Sequence, residues 1–237
     1  KQLTVFKDEV VAKDSKNNIL ETDYAEYDKK LKLLISKGKT KIVTSGGYSV
    51  MGSNVSFDNK KNFIFSKEPA IIEDPDKNQI FLQNFDYLIN ENFFKSVGKI
   101  EVKDVKNNIY NFSQIYIDEK KREIVGTDIK AYLNEESLKL KTENKPRIFA
   151  NTIQINDDES KFTKSIFTMC DYRENDKCPP WTIQANKMRH DKIKKTIYYD
   201  NAVIKVYDIP IFYFPKFFHP DPTVKRQSGF LAPLFTN

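Results

Sequence analysis

The stretch that decides the fold is residues 39–57, "KTKIVTSGGYSVMGSNVSF". Apolar and polar residues alternate through it, so successive side chains point to opposite faces of an extended chain. Many of its residues are β-branched or aromatic, and these types suit a half-buried pleated surface. The stretch therefore predicts β-strands.

The same alternation recurs along the chain, for example in residues 153–167, "IQINDDESKFTKSIF". Between such runs lie short clusters of Asp, Asn, Lys and Glu. These suit tight connections, because Asn and Asp tolerate the left-handed backbone conformation and can bond to their own backbone. Helical periodicity is hard to find, so the chain is predicted to be all-β.

An internal pattern repeats at roughly 30 to 38 residues and gives six units. Each unit is a strand, a turn at Asp or Asn, a second strand and a polar break. The predicted turn residues are Asp28, Asp58, Asn90, Asp118, Asn156 and Asp191. One unit cannot bury its apolar face alone, so neighbouring units must stack or roll up. About a dozen antiparallel strands without helices predict a sandwich, a jelly roll or a β-solenoid.

The composition fits a folded chain of 237 residues, long enough for one large all-β domain or two small ones. The net charge of +6 could suit a polyanionic partner. The 39 Lys and Arg residues are nevertheless mixed with 33 Asp and Glu in strings such as "DKK", which favours a solvated rim. The sequence contains no run of about 18 apolar residues, so no membrane-spanning helix is predicted. Lys1 opens the chain without Met or a signal core, and we expect a processed or trimmed start.

The residue types that usually carry chemistry are sparse. Cys170 and Cys178 lack zinc-ligand spacing, and a disulfide in an oxidising compartment fits them better. His190 and His219 are 29 positions apart. Ser228 lies in "RQSGF", which is not the G-x-S-x-G motif of hydrolases. We therefore expect no enzymatic activity, no metal site and no cofactor.

Proline marks the expected junctions, because it is confined to edges and bulges within sheets. It is almost absent from the repeated strands and gathers at 179–180 and from Pro210 onwards. We place a boundary near Pro215, with one domain over residues 1–215 and a separate segment over 216–237.

Three stretches of the second half carry a resemblance. They are "WTIQANKMRHD" (181–191), "YYDNAVIKVYDIPIFYFP" (198–215) and "HPDPTVKRQSGFLAP" (219–233). Together with Cys170 they closely resemble the N-terminal region of the LptD family, also called OstA or Imp, which assembles lipopolysaccharide in the Gram-negative outer membrane. The repeats over residues 3–169 resemble, by pattern, the OstA repeat shared by LptA, LptC and LptD.

The resemblance implies a fold and a task. Residues 1–215 would form an OstA-like β-jelly roll in the periplasm, and 216–237 the hinge and start of the first strand of an outer-membrane barrel that this chain lacks. The domain would accept lipopolysaccharide from an LptA-like bridge protein. It would pass the acyl chains through an apolar lumen to the barrel, which holds an LptE-like lipoprotein, for insertion in the outer leaflet. The implied location is the outer membrane, facing the periplasm, with no nucleic-acid partner.

The lumen would be lined by apolar members of the alternating runs. The candidates are Ile71, Phe81, Phe85, Ile100, Ile115, Ile117, Ile153, Ile155 and Phe167. Alternation alone does not distinguish a lipid-filled lumen from a packed core, and both interpretations stay open for each residue.

A second group of aromatic residues lies near the predicted hinge and could form an exit gate. Its members are Phe212, Tyr213, Phe214, Phe217 and Phe218. A packed domain junction or an interfacial aromatic belt would produce the same composition.

The resemblance also bears on the cysteines. Matching family members pair the cysteine at the position of Cys170 with one near the barrel's C-terminus, which favours a long-range bond here. Cys178 departs from the enterobacterial pattern, because there the second N-terminal cysteine lies far upstream. A local bridge between Cys170 and Cys178 stays open.

Two other functions fit an all-β chain. A polysaccharide-active or carbohydrate-binding β-solenoid or jelly roll would need a cleft of clustered carboxylates with shifted pKa values. A purely structural assembly domain would fold beside the barrel without touching lipid.

Overall fold

The protein is all-β. The structure, a computed structural model, describes residues 3–134, 146–170, 179–221 and 224. Within these residues there are eighteen strands and no helix, and the paired strands are antiparallel. The all-β prediction is confirmed. The chain forms two compact units, residues 1–105 with 111–124 and residues 106–110 with 125–237.

The strands of the first unit are short, and many follow one another closely. They are β1 (Leu3–Lys13), β2 (Ile19–Asp28), β3 (Leu33–Ser36), β4 (Lys39–Val43), β5 (Ser49–Ser53), β6 (Ser56–Asp58), β7 (Phe63–Ser66), β8 (Ala70–Glu73), β9 (Gln79–Leu82), β10 (Phe85–Leu88), β11 (Phe93–Lys103) and β12 (Ile109–Asp118). Residues 109–110 of β12 belong to the second unit.

Two ladders of paired strands run side by side in this unit. In the first sheet, the first half of β2 pairs with β4, followed by β5, β8, β9 and the second half of β11. In the second sheet, the second half of β2 pairs with β3, followed by β6, β7, β10 and the first half of β11. β1 pairs with β2 along both halves. The two sheets therefore share their long strands.

Most strands of the first unit are halves of longer, bent strands. β3 and β4 are separated by two residues, as are β5 and β6 and likewise β9 and β10, whereas β7 and β8 are separated by three. Joining these four pairs turns eighteen strands into fourteen, close to the predicted dozen. Left-handed backbone marks several bends, at Gly38 (φ 81°), Asn54 (φ 52°) and Gly98 (φ 122°). Glycine and asparagine adopt this conformation most readily.

The hairpin turns at the strand ends also have left-handed backbone, and they recur every fifteen residues. The residues concerned are Asn17, Lys32, Gly47, Asn62, Lys77, Asn92, Asn107 and Arg122. One bent strand plus one turn is thus the true repeat, and two of them give the shorter predicted spacing.

The predicted turn residues occupy these hairpins. Asp28, Asp58 and Asp118 each accept hydrogen bonds from the second and third following N–H groups. Asn90 also lies in a turn, but Leu88 holds the position that is aspartate in the others.

The second unit contains longer, unbroken strands. They are β13 (Glu123–Tyr132), β14 (Arg147–Ile155), β15 (Glu159–Thr168), β16 (Trp181–Asp191), β17 (Thr196–Val206) and β18 (Ile209–Pro220). Strands β14 to β18 form an antiparallel meander in chain order.

These strands also bend near their middles. Lys164 in β15 and Asn201 in β17 have left-handed backbone (φ 47° and 53°). Pro215 of β18 lies opposite Asn201, between the pairs Asp200–Lys216 and Ala202–Phe214. β18 thus continues through Pro215 to Pro220, and the predicted boundary near Pro215 falls at a bend. The hinge assignment of 216–237 stays a prediction, because most of that segment lies outside the described residues.

Among the described residues, no helix has the length and apolarity that spanning a bilayer requires.

We predict that Gly98→Ala lowers the free energy of unfolding by roughly 1–3 kcal/mol, because a backbone near φ 122° is strained for any residue with a Cβ. The added methyl meets no atom closer than 3.9 Å, so backbone strain alone would cause the loss. Urea unfolding measures it. Val97→Ala, at the exposed neighbour, should change stability by less than about 0.5 kcal/mol, and equal stability of wild type and Gly98→Ala would contradict the assignment of the bend.

Candidate functional site

The apolar interior of the first unit lies between its two sheets. In most strands of the unit buried residues alternate with half-buried or exposed ones, whereas β1 and β6 contain no buried residue. The buried set includes Leu20, Ile42, Val50, Ile72, Ile80 and Ile100 of the first sheet, and Ala25, Leu34, Ile64, Phe85, Tyr87 and Phe94 of the second. Side chains of both sheets meet, since the Tyr48 ring after β4 lies 6.0 Å from the Phe94 ring of β11. The two sheets thus contact each other through buried side chains.

The predicted lumen residues of this unit fall on two different faces. Phe85 and Ile100 are inward and buried, and Ile115 and Ile117 of β12 are also buried. Ile71 and Phe81 pair with each other across β8 and β9 on the opposite face, where Ile71 is 40% exposed. Their neighbours face inward instead. A role in lining a lumen stays a prediction for the buried residues.

The two sheets are joined by backbone at the bends, and their hairpin turns meet at the other end. Lys16 Nζ, in the turn 14–18, donates to the carbonyl oxygen of Ile89 at 2.7 Å. Thr44 Oγ1 donates to Glu119 Oε1 at 2.9 Å. Arg122 forms an ion pair with Asp76. We call these three contacts between turns the seam. The seam closes the interior on the side away from the bends.

Glu119 is the buried centre of the seam. Besides the Thr44 hydrogen bond, its carboxylate accepts hydrogen bonds from Tyr87 Oη at 3.1 Å and Asn92 Nδ2 at 3.3 Å. Its N–H donates to the Asn92 carbonyl oxygen. Burial raises the pKa of Glu119 above its ordinary value, although the three hydrogen bonds oppose the shift. Burial and the nearby Glu119 charge also raise the pKa of Tyr87.

The glycine pair in the opening stretch makes room for this carboxylate. A Cβ on Gly46 would lie 2.8 Å from Glu119 Oε2. The sequence alone does not identify Gly46 or Glu119 as buried contact residues, because "DEKKR" (118–122) has the composition of a solvated turn. The extra acidic residue after the turn aspartate is the signal that could have identified Glu119.

The interior of the second unit consists of two cross-strand rows, one on each side of the bends. One row runs Ile153, Phe162, Met188, Tyr199 and Phe217 across β14 to β18. The other runs Ile148, Phe167, Ile183, Ile204 and Phe212. The predicted lumen residues Ile153 and Phe167 are buried members of these rows, and Ile155 is half-buried at the end of β14.

The predicted exit-gate residues also separate onto two faces of β18. One series of neighbouring rings, stacked or tilted against each other with centroids 6.2, 5.5 and 6.0 Å apart, consists of Phe212, Phe214, Phe217 and His219. We call this series the aromatic ladder. Phe212 at one end is 58% exposed, whereas His219 at the other is 8% exposed. The ladder therefore carries the apolar face of the unit from the interior into solvent.

The other two gate candidates lie on the opposite face of β18, and both are exposed. Tyr213 donates from its hydroxyl to Asn201 Oδ1 at 2.8 Å. Phe218 lies 6.0 Å from the ring of Tyr198. A gate built from all five side chains would need both faces of the strand.

A polar contact fixes the buried end of the ladder. His219 Nδ1 lies 2.7 Å from the carbonyl oxygen of Pro220, which can only accept, so Nδ1 carries the proton. Nε2 then accepts from Tyr199 Oη at 3.0 Å. Burial lowers the pKa of His219, which favours this neutral form. His190 Nε2 lies 2.6 Å from Asp221 Oδ2. In the described part of the chain, no group of His, Cys, Asp or Glu could hold a metal ion.

Cys170 is half-buried after β15, and burial raises the pKa of its thiol. Arg147 Nη2 donates to the carbonyl oxygen of Cys170 at 2.8 Å. Cys178 lies outside the described residues, so both proposed disulfide pairings stay predictions.

Comparisons with known proteins add one structural likeness. No family model matches the sequence, and no curated protein matches it. Among solved structures, the chain is similar to LptH, the LptA-homologous periplasmic component of the lipopolysaccharide transport device of Pseudomonas aeruginosa. The TM-score is 0.41 at 20% identity, over 47% of this chain and 82% of LptH. A likeness of this size establishes neither a family nor a function.

Removing the Tyr199 hydroxyl should loosen the buried end of the ladder. We predict that Tyr199→Phe lowers the free energy of unfolding by about 1–3 kcal/mol, because Nε2 of the buried His219 loses its donor. Tyr198→Phe, which keeps its ring contacts with Phe218 and Arg189, should cost less than about 0.5 kcal/mol. Chemical unfolding of the wild type and the two variants measures both effects. Equal losses of stability in the two variants would show that the Tyr199–His219 hydrogen bond does not stabilise the fold.

Glu119 should make stability depend on pH. Its folded pKa lies above the ordinary 4.5, so its stabilising effect is complete below that value and is lost as pH rises through the folded pKa. Wild type should therefore lose stability relative to Glu119→Gln as pH rises from 4.5. Urea unfolding across this range measures the difference, with Glu91→Gln in an exposed turn as the control. Parallel pH curves for wild type and Glu119→Gln would show that the carboxyl is not buried.

Proposed function

We propose that the chain is the periplasmic OstA-like domain of an LptD-like protein and that it transports lipopolysaccharide. The domain accepts the lipid from an LptA-like bridge and passes its acyl chains towards an outer-membrane barrel. The observation that carries this proposal is the continuous apolar face of the second unit, which runs from buried Phe167 and Ile183 to exposed Phe212. A face that is buried at one end and open at the other suits a passing apolar ligand.

The energetic need for such a face is large. An acyl chain of roughly ten CH₂ groups costs about 8 kcal/mol to expose to water, at about 0.8 kcal/mol for each group. Shelter for it lies between the sheets, where inward side chains now pack. We propose that these side chains change rotamer to admit an acyl chain while the strand pairs of both sheets stay hydrogen-bonded.

Partners would join at the exposed strands. β1 pairs with β2 and has exposed apolar side chains on both faces, as has β18 beside β17. Such edge strands can accept a further strand from another chain. We propose that the bridge protein adds to β1. We also propose that β18 leads towards a barrel that holds an LptE-like lipoprotein and that the domain lies at the outer membrane, facing the periplasm.

The carbohydrate-active alternative is less well supported. Glycoside hydrolysis commonly uses two carboxyl groups that flank the scissile bond. Glu119 is a buried carboxyl with a raised pKa, but its hydrogen-bonding partners are Thr44, Tyr87 and Asn92. This arrangement suits a structural junction better than acid and base catalysis. We therefore propose a non-enzymatic role.

Site-specific photocrosslinking in cells tests the proposal. A photoreactive amino acid at Ile100 or Ile153 faces the interior and should crosslink to lipopolysaccharide. The same amino acid at Ile71, which faces outward from β8 in the same sheet as Ile100, should not. Immunoblots for lipopolysaccharide adducts measure both results.

Two outcomes count against this function. Crosslinks from the inward sites to protein alone would support a structural assembly domain. Equal lipid labelling from Ile71 and Ile100 would show that lipid contacts the surface without entering the interior.

A further inference from the structure

The seam is the weakest closure of the first unit. At the bends, the two sheets are joined by continuous backbone. At the opposite side they are held by the side-chain contacts of Lys16, Thr44 and Arg122 with Ile89, Glu119 and Asp76. Among the residues that the structure describes, no strand pairing joins the two sheets at the seam, so the turns can separate without breaking a strand pair.

The contacts of the seam differ in strength. The Arg122–Asp76 ion pair is 48% and 61% exposed, and exposed pairs contribute little to stability. The Glu119 junction is buried, and burial disfavours its charged form. The Lys16 ammonium group donates to the carbonyl oxygen of Ile89, which carries no charge. An anion that binds cations more tightly could therefore displace Ile89 from Lys16 and Asp76 from Arg122.

A phosphate group is such an anion. Arginine binds phosphate in a bidentate geometry, and such charge-assisted bonds are stronger than bonds to neutral acceptors. Lys120 and Lys121 are exposed in the same turn as Arg122 and add positive charge beside the seam. The turn 118–122 therefore presents three cationic side chains, one of which, Lys121, also pairs with Asp118 at 3.2 Å. Lys16 adds a fourth positive charge further along the seam, opposite Ile89.

We propose that the first unit is loaded sideways through the seam, and that phosphates of the lipid head group open it by drawing Lys16 from Ile89 and Arg122 from Asp76. This inference rests on the proposed function, because it concerns how the same interior receives its lipid. Sideways loading lets the acyl chains enter while the charged head stays in water. Lys16 and the turn 118–122 then bind the head group.

Locking the seam tests the route. Ser15→Cys and Asn90→Cys place thiols in the two turns that Lys16 and Ile89 join, and both positions are exposed. With Cys170→Ser and Cys178→Ser as background, a short bismaleimide then bridges the turns. The matched control bridges Lys41→Cys and Met51→Cys, which are paired across β4 and β5 in one sheet. Loading is followed with fluorescent-acyl lipid A, in bisphosphorylated and dephosphorylated forms.

The lock should slow loading of bisphosphorylated lipid A by about tenfold or more, corresponding to about 1.4 kcal/mol or more, and the control bridge should not. Lys16→Met with Arg122→Met should abolish the preference for the phosphorylated lipid and speed loading of the dephosphorylated one. Lys30→Met with Lys60→Met, in exposed turns of the second sheet, should leave the preference unchanged.

Three other outcomes would each contradict one part of the proposal. Unchanged loading after locking would show that lipid enters by another route. A preference for phosphate that survives Lys16→Met with Arg122→Met would place head-group recognition elsewhere. If the unlocked wild type loads neither lipid, the proposed function itself is contradicted.

Discussion

The fold depends on bending amphipathic strands at regular intervals. Each strand alternates apolar and polar side chains, and a left-handed residue such as Gly38, Asn54 or Gly98 bends it near the middle. The two halves then lie in different sheets with their apolar faces towards each other. Because the hairpin turns follow a fifteen-residue period and each bend lies between two turns, successive strands bend in register. Without the register, inward side chains of one sheet would meet solvent.

This geometry explains why the two sheets of the first unit are joined firmly at the bends and only weakly at the seam. The bends are covalent, whereas the facing hairpin turns meet through Lys16, Glu119, Arg122 and their partners. Burying the Glu119 carboxyl is costly, and its three hydrogen-bond donors offset part of that cost. A closure of this kind can open without loss of strand pairing. The second unit has an apolar face of its own, which reaches solvent along the aromatic ladder.

The strands could be predicted from the sequence, because alternation is a local property that tertiary structure preserves. The inward face was harder to assign. In the run "NQIFLQ" (78–83) apolar residues occupy both faces, and Phe81 points outward because Ile80 and Leu82 point inward. A shift of one residue exchanges the faces of a strand. In β18 the sequence also does not show which face is inward, since Tyr213 and Phe218 are as aromatic as Phe212 and Phe217 of the aromatic ladder.

Contacts between distant turns could not be predicted. Glu119 lies in a string that resembles a solvated turn, and it is buried because Thr44, Tyr87 and Asn92 converge on it from elsewhere in the chain. The proximity of His219 to Tyr199 likewise depends on the register between β17 and β18. Such contacts arise from the arrangement of the sheets, which a pattern of apolar and polar residues leaves open.

The central claim is that acyl chains lie between the sheets, against the inward isoleucines. Methyl NMR of the isoleucine-labelled chain saturated with lipopolysaccharide tests this most directly. The account predicts nuclear Overhauser contacts from acyl methylenes to the methyl groups of Ile80 and Ile100, and none to Ile71 on the outer face. Contacts to Ile71 with none to the inward methyl groups would contradict it.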